Sequence, residues 1–454
     1  MRPRGHILIA AALGAALNPL NSTMIAVALP AMRADFSADP STVTLLVVTG
    51  YLIATLVCQM PAGSVADRIG HGRALSWGRW IFAAGAAAGA FAPTLSAVVA
   101  GRLLMAAGGS LMVPTSMALV RVGVAAERRA RAFGTLGAVM GVAAAIGPAL
   151  GSWLTPLLGW RWLFAINLPV IAVSWALQPP LADSDGQPGA ARVRFDWWGS
   201  ALTAVTLVAF TMATRAHGQD MVVALSVGGA ALAALLFIEN RVPAPVIDLE
   251  LFGKGPFVAA AGVIGFQNLA MYSLLVLIPF LFGASAGSSV GVAIMAMTGA
   301  MALTSPFGGR LADRVGARLV IVAGGLIGAA GVVAIERLGS APQPFDLGLR
   351  LLLVGLALGL STGPAQAAGL TAVAGEKSAL GSATMSMVRY VGSIAGTVIL
   401  GFALAVGTDS AARRDVAMWI FAGAFLASAV LGGFLSSTRK GAAPVNAAMI
   451  ERSA

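Results

Sequence analysis

The sequence predicts an all-α polytopic membrane protein that is built from two related helical bundles. Of its 454 residues, 58% are hydrophobic and only 10% are charged, whereas a soluble domain carries about 25% charged residues. The apolar runs are long and unbroken, which favours membrane helices over a β-barrel. The hydrophilic stretch GSVADRIG at residues 63–70 recurs as GRLADRVG at residues 309–316, just over half the chain later. A repeat of this kind indicates two similar bundles, as in secondary transporters.

Crossing the hydrocarbon layer takes about 20 apolar residues, and the apolar runs predict fourteen spans. Residues 1–178 form a predicted N-terminal six-helix bundle. Residues 179–256 form a linker, whose two apolar runs near 197–214 and 221–238 are interpreted as an inserted transmembrane hairpin. Residues 257–437 form a C-terminal six-helix bundle, and residues 438–454 form a cytoplasmic tail. The bundle spans are expected near 7–29, 43–62, 73–92, 96–118, 132–156, 161–178, 257–282, 288–307, 319–336, 347–372, 379–405 and 416–437.

The net charge of +11 predicts an orientation. On a soluble protein it would indicate nucleic acid, but here the arginines gather in joints on one side, and basic residues mark the cytoplasmic side of membrane proteins. We therefore expect both repeated loops and both termini to be cytoplasmic, with no nucleic-acid partner. The single cysteine, Cys58, excludes an internal disulfide. The sequence contains no recognisable metal-ligand cluster, nucleophile–base pair or phosphate loop, so no cofactor and no enzymatic activity are predicted.

Six segments in order resemble one family. Residues 63–70 resemble the G-x-L-A-D-R-x-G loop of the major facilitator superfamily. Residues 147–151, GPALG, resemble the G-P-x-x-G-G signature of its drug:proton antiporters, and residues 160–169, WRWLFAINLP, resemble a segment of the fourteen-span branch. The remaining matches to that branch are DWWG at 196–199, PVIDLELF at 245–252 and RYVG at 389–392.

The resemblance implies the major facilitator fold, with two six-helix bundles plus two inserted transmembrane helices. It also implies a monomer in the bacterial inner membrane that exports small amphipathic compounds, such as drugs, antibiotics or metabolites. Transport in this family proceeds by alternating access and is coupled to protons by default.

The repeated loop is the first candidate functional element. Its glycines allow a tight turn, and its carboxylate can face the positive N-terminal end of a neighbouring helix. The resemblance implies a latch that holds the cytoplasmic side shut in the outward-facing state. The alternative interpretation is a solvated turn whose arginines satisfy the positive-inside rule. The predicted latch residues are Gly63, Asp67, Arg68, Gly70, Arg73, Asp313 and Arg314.

The fifth predicted span is the second candidate element. It contains Gly141, Gly147, Pro148 and Gly151. Small residues let helices approach closely, and a proline frees a backbone carbonyl. The resemblance implies a hinge and a leak-tight seam, whereas the alternative interpretation is ordinary helix packing.

The first span departs from the family pattern. Drug:proton antiporters usually read L-D-x-T there, with the aspartate as proton or cation site, but residues 20–23 of this chain read LNST. Asn21 cannot exchange a proton, and no Asp or Glu is found inside another predicted span; Glu239 lies at a span end. Because Arg102 and Arg389 lie within spans, we expect neutral or anionic cargo over cationic cargo. The alternative interpretation of Arg102 is an arginine that extends to the outer headgroups. Proton coupling could run through Asp67, through a substrate carboxylate, or not occur.

Other polar residues inside spans are candidates for the substrate cavity, because polar side chains in lipid need internal partners. The alternative interpretation of each is an interhelical hydrogen bond. With a small molecule as the expected partner, the two open functions are a proton-coupled exporter and a proton-independent facilitator or anion symporter. These further candidates are Asn18, Tyr51, Gln59, Gln267, Asn268, Tyr272 and Gln366.

Overall fold

The computed structural model describes residues 4–124, 126–177, 196–214, 216, 218–242, 249–286, 289–338, 343–373, 378–405 and 410–435. Within these ranges all regular secondary structure is helical, apart from turns. The predicted tail at 438–454 and most of the predicted linker lie outside the described residues.

Six helices form the first lobe. They are α1 (Arg4–Phe36), α2 (Pro40–Ile69), α3 (His71–Ala90), α4 (Leu95–Gly123), α5 (Ala126–Leu158) and α6 (Trp162–Ala176). α2 contains a π-helical turn, Thr44–Thr49, a wide turn that is frequent at functional sites. Side-chain caps begin two of the helices: Asp39 accepts a hydrogen bond from the Thr42 amide, and Thr94 accepts one from the Ala97 amide.

Two helices follow the first lobe and six form the second lobe. The pair is α7 (Trp197–Ala213) and α8 (Gln219–Glu239), which pack against each other, and α7 also contacts α2. After a 3₁₀ turn at Leu249–Gly253, the second lobe consists of α9 (Gly255–Ala286), α10 (Ser289–Val315), α11 (Ala317–Glu336), α12 (Pro344–Thr371), α13 (Ser378–Ala405) and α14 (Ser410–Gly433).

The repeat seen in the sequence is also a repeat in the backbone. Gly70 joins α2 to α3 with φ +88°, and Gly316 joins α10 to α11 with φ +94°. Both angles lie in the left-handed region that glycine tolerates without steric cost. The two copies of the motif therefore make the same one-residue joint, once in each lobe. We call the end of the molecule that carries these joints the motif end, and the opposite end the far end.

The number of membrane spans is confirmed only in part. Within the described chain, eleven helices are long and apolar enough to cross a membrane. The other three are α3 and the shorter apolar helices α6 and α7. Buried Arg79 and several glycines keep α3 less hydrophobic than its neighbours. Fourteen spans therefore stay a prediction, while the all-helical fold is confirmed.

The lobes contact each other towards the far end. The hydroxyls of Thr49 and Thr397 are 2.9 Å apart, and a Cβ at Gly401 would lie 3.3 Å from the Leu45 side chain. Gly291 packs tightly on α5. At the motif end, a Cβ at Gly63 would have no described atom within 4 Å.

Candidate functional site

A cavity of about 390 Å³ lies between the two lobes. This volume falls in the range of small-molecule sites, roughly 300–1,000 Å³. Helices from both lobes form its wall, so a molecule bound there would touch both lobes. All three tyrosines of the chain line it, Tyr51 from α2, Tyr272 from α9 and Tyr390 from α13. Four methionines add pliable apolar surface; they are Met117, Met140, Met271 and Met301.

Six of the residues singled out in the sequence line this cavity: Asn18, Tyr51, Gln59, Asn268, Tyr272 and Arg389. The Tyr51 hydroxyl donates a short hydrogen bond to Asn18 Oδ1. The Tyr272 hydroxyl lies 3.0 Å from Ser22 Oγ and so links the two lobes. Asn268 Nδ2 donates to the Ile264 carbonyl at 2.9 Å within its own helix.

Arg389 is the one charged side chain among the described lining residues. It is half-buried, and its Nη2 donates to Gln366 Oε1 at 3.2 Å. Gln366 thereby orients the guanidinium without lining the cavity itself. The cavity wall is therefore positive on the side of α13.

Gln267 follows the alternative interpretation and does not line the cavity. Its Nε2 donates to Ser361 Oγ at 2.8 Å, and its Oε1 accepts from Thr362 Oγ1 at 3.2 Å. It is fully buried between α9 and α12, where its two hydrogen bonds hold these helices together.

Arg102 and Asn21 are brought together behind the Tyr51 ring. Arg102 is 1% exposed and Asn21 is 0% exposed. Arg102 Nε donates to the Val47 carbonyl at 3.2 Å, in the π-helical turn, and Nη1 donates a short hydrogen bond to Asn21 Oδ1. The guanidinium carbon lies 3.7 Å from the centroid of the Tyr51 ring, a cation–π contact.

The predicted hinge residues lie at a seam between α5 and two neighbouring helices. A proline at position 148 cannot donate to the Ala144 carbonyl, and this carbonyl accepts instead from Thr23 Oγ1 on α1 at 3.0 Å. The next carbonyl, of Ala145, accepts from Thr298 Oγ1 of the second lobe at 3.1 Å. Each of these two carbonyls therefore accepts a hydrogen bond, one from α1 and one from the second lobe.

The glycines of this seam differ in their surroundings. A Cβ at Gly147 would lie 2.9 Å from the Leu20 carbonyl oxygen, and one at Gly151 would lie 3.3 Å from the Met24 carbonyl carbon and closer still to its oxygen. Gly141 has more room, with Ala302 at 3.8 Å. The seam therefore packs α5 against α1 at backbone distance, and hinge motion stays a prediction.

The predicted latch residues lie at the motif end. The Asp67 side chain is 65% exposed and lies 3.9 Å from His71 Nε2. Arg68, Arg73, Asp313 and Arg314 are also exposed. No described ion pair or hydrogen bond joins either aspartate to the opposite lobe, and the latch role stays a prediction.

Three buried charges were missed in the sequence. Arg79 is fully buried in α3, and its Nη2 donates to the Ala10 carbonyl at 3.1 Å. Its position inside an apolar run is the same signal that singled out Arg102. Asp196 and Glu239 are 6% and 4% exposed, so the expectation that the helices bury no carboxylate is corrected. Both pack against Gly199 at one end of the α7–α8 pair, where Asp196 Oδ1 accepts from the Gly199 amide to cap α7.

Two repeated lobes around a central cavity define a secondary transporter. A family model of the Major Facilitator Superfamily matches residues 11–397, and the chain belongs to this family. It is therefore a membrane transporter and not an enzyme, as predicted.

Known proteins of this family resemble the chain over most of its length. The MFS-type transporter YwoD of Bacillus subtilis (strain 168) is 32% identical over 88% of this chain and 90% of its own. Multidrug resistance protein Stp of Mycobacterium tuberculosis (strain ATCC 25618 / H37Rv) is 30% identical over 88% of this chain and 75% of its own. The crystal structure of a D-xylose-proton symporter superposes with a TM-score of 0.71 at 14% identity, covering 97% of this chain and 99% of that one. At that identity the likeness concerns the fold alone.

Proposed function

We propose that the protein exports small amphipathic compounds, neutral or anionic, across a bacterial inner membrane by alternating access. The observation that carries this proposal is the inter-lobe cavity, in which Arg389 is the charged group and the described lining contains no carboxylate. The similarity to a multidrug resistance protein supports export of a drug, antibiotic or related metabolite. The six-plus-two-plus-six arrangement of spans, membership of the fourteen-span branch and a monomeric state belong to the same proposal.

The orientation of this conformation in the membrane is inferred from charge and from the closed end. The motif end carries Arg68, Arg73 and Arg314, and basic residues mark the cytoplasmic side. The far end is closed by the contacts of Thr49 with Thr397 and of Leu45 with Gly401. The conformation is then cytoplasm-facing, in which an exporter loads its cargo. Asp67 and Asp313 would engage as the latch after the lobes rock and the far end opens.

The preference for neutral or anionic cargo has two physical causes. Arg389 repels a cation and attracts an anion in a site with low dielectric. Tyr51 already has a cation on one face of its ring, because Arg102 lies over it. A second cation on the opposite ring face would be repelled by the first, so the usual aromatic binding of lipophilic cations is weakened.

The test is a susceptibility and accumulation screen in a strain that lacks its own pumps, with matched cationic, neutral and acidic compounds. We expect lower accumulation of neutral or acidic compounds when the protein is expressed. The Arg389→Gln variant should lose most of its effect on acidic compounds while it retains its effect on neutral ones. Export restricted to cations would refute the proposed selectivity, and no export of any compound would refute the function.

The second candidate function is a proton-independent facilitator or anion symporter. It is favoured by Asn21, which replaces the aspartate that serves proton coupling in similar transporters. Transport measured in proteoliposomes with and without an imposed pH gradient separates the two functions. Antiport requires accumulation against the cargo gradient when the pH gradient is present, whereas a facilitator only equilibrates its cargo.

A further inference from the structure

Two hydrogen-bond donors beside the cavity lack an acceptor in the described part of the protein. They are Arg102 Nη2 and Asn21 Nδ2. Both side chains are almost fully buried, with exposures of 1% and 0%. They belong to bonded neighbours, since Arg102 Nη1 donates to Asn21 Oδ1. Two unused donors therefore lie on adjacent groups.

The same place carries a positive charge without a described counter-charge. An arginine side chain stays protonated in proteins. The groups that contact Arg102 are the Val47 carbonyl, the Asn21 amide and the Tyr51 ring, all of them neutral. No described carboxylate lies within the 4.0 Å of an ion pair. Buried charges are as a rule paired, so this guanidinium calls for an anion.

We infer that a small monovalent anion binds beside Arg102 and accepts hydrogen bonds from Arg102 Nη2 and Asn21 Nδ2. The anion is either chloride or the carboxylate of the cargo. Asparagine and aspartate have the same shape. Asn21, at the position where similar transporters have an aspartate, therefore differs from that aspartate in its charge and in its hydrogen-bond donors. An aspartate would neutralise Arg102 and repel an anion, whereas the amide leaves the charge in place and adds a donor. A bound anion then supplies the negative charge that an aspartate side chain at position 21 would carry.

The cavity provides a route to this site. Asn18 and Ser22, on the turns of α1 next to Asn21, line the cavity, and so does Tyr51. Arg102 lies behind the Tyr51 ring at 3.7 Å from its centroid, so one aromatic ring separates the guanidinium from the cavity. A small ion can enter from the cavity when this ring moves.

The effect of the anion on transport rests on the proposed function, but the binding of the anion does not. The first experiment therefore measures binding alone. The thermal unfolding temperature of the purified full-length protein is followed with rising sodium chloride, sodium acetate or sodium gluconate at constant ionic strength. Acetate is a small probe with a carboxylate, and gluconate, a bulky hydroxylated anion, is the reference salt. A ligand that binds only the folded state raises this temperature in a saturable way, here by about 2–5 °C.

The outcomes separate the two sources of the anion. A rise in chloride but not in gluconate assigns the site to an inorganic anion, and a rise in acetate alone assigns it to a carboxylate of the cargo. Equal unfolding temperatures in all three salts at every concentration would overturn the inference. Transport could persist in that case, so the proposed function would stand.

A pair of matched variants locates the site. Asn21→Asp should unfold at a temperature that no longer depends on chloride or acetate, because the new carboxylate neutralises Arg102 permanently. Asn240→Asp places the same change at the exposed C-terminal end of α8, outside the cavity, and should keep the wild-type response. An undiminished salt response in Asn21→Asp would place the anion elsewhere and overturn the assignment.

Discussion

Asn21 and Arg102 show how one pair of side chains can set the charge beside the inter-lobe cavity. A guanidinium that is buried among neutral groups costs several kcal/mol unless an anion accompanies it. Around the Arg102 guanidinium, Asn21 and Val47 each provide one oxygen that accepts a hydrogen bond, and Tyr51 provides the face of its ring. The site therefore stays positive, which favours the binding of anions.

At this residue scale we predict that Asn21→Asp changes the response of transport to pH. The new carboxylate can exchange a proton, which the amide cannot, so the rate of export should depend more steeply on an imposed pH gradient than in the wild type. Initial rates in proteoliposomes at a series of external pH values measure this. Asn240→Asp, outside the cavity, serves as the control for an added carboxylate, and identical pH profiles for Asn21→Asp and wild type would show that this position takes no part in coupling.

At the scale of single elements, the α5 seam shows why glycines recur in one helix and why they are not equivalent. Gly147 and Gly151 contact the backbone of α1, while Gly137 has no described atom within 4 Å of its Cβ position. Thr23 and Thr298 donate hydrogen bonds to the carbonyls of Ala144 and Ala145, one turn before Pro148. This seam, which is closed by backbone contacts and two hydroxyl groups, holds α5 against α1 and against the second lobe.

This arrangement predicts opposite effects for two like substitutions in α5. Gly151→Ala should destabilise the protein by about 1–3 kcal/mol, because its Cβ would collide with the α1 backbone, which cannot yield as a side chain does. Gly137→Ala should be neutral or stabilising by up to about 1 kcal/mol, because alanine is the better helix former. Thermal unfolding in the same detergent compares them, and equal stability of both variants would contradict the close approach of α1 and α5.

At the scale of the whole molecule, the two lobes touch towards the far end and surround the cavity at mid-height. Among the described residues, hydrogen bonds cross between the lobes from Ser22 to Tyr272, from Thr49 to Thr397, and from Thr298 to the Ala145 carbonyl. Few hydrogen bonds and close glycine contacts make an interface that can open without exposing many unsatisfied polar groups to lipid. Such an interface suits a rocking motion of the lobes.

Locking this interface should stop transport. In a Cys58→Ser background, the pair Thr49→Cys and Thr397→Cys places two thiols where the hydroxyls lie 2.9 Å apart, within reach of a disulfide. We expect oxidation to abolish transport and a reductant to restore it, while either single cysteine variant stays active under both conditions. Undiminished transport by the fully cross-linked protein would show that the lobes do not separate at Thr49 and Thr397.

The sequence by itself determined the helical membrane fold, the two-lobe repeat and the family, because hydropathy and motif spacing are local properties. It also identified six residues that line the cavity, since polar residues inside apolar runs need a polar surrounding. It did not determine which partner each of them has. Only the tertiary structure separated Gln267, which joins two helices, from Asn268, which faces the cavity.

The tertiary structure also decided what is buried. Glu239 lies at a helix end in the sequence, yet the α7–α8 pair packs it out of solvent. The sequence left Arg102 open between a functional charge inside a span and a side chain that extends to the headgroups, and packing buries it against Tyr51 and Asn21, residues that lie far from it along the chain. Burial and pairing depend on which helix faces meet, and this is set by contacts between distant segments that no local pattern records.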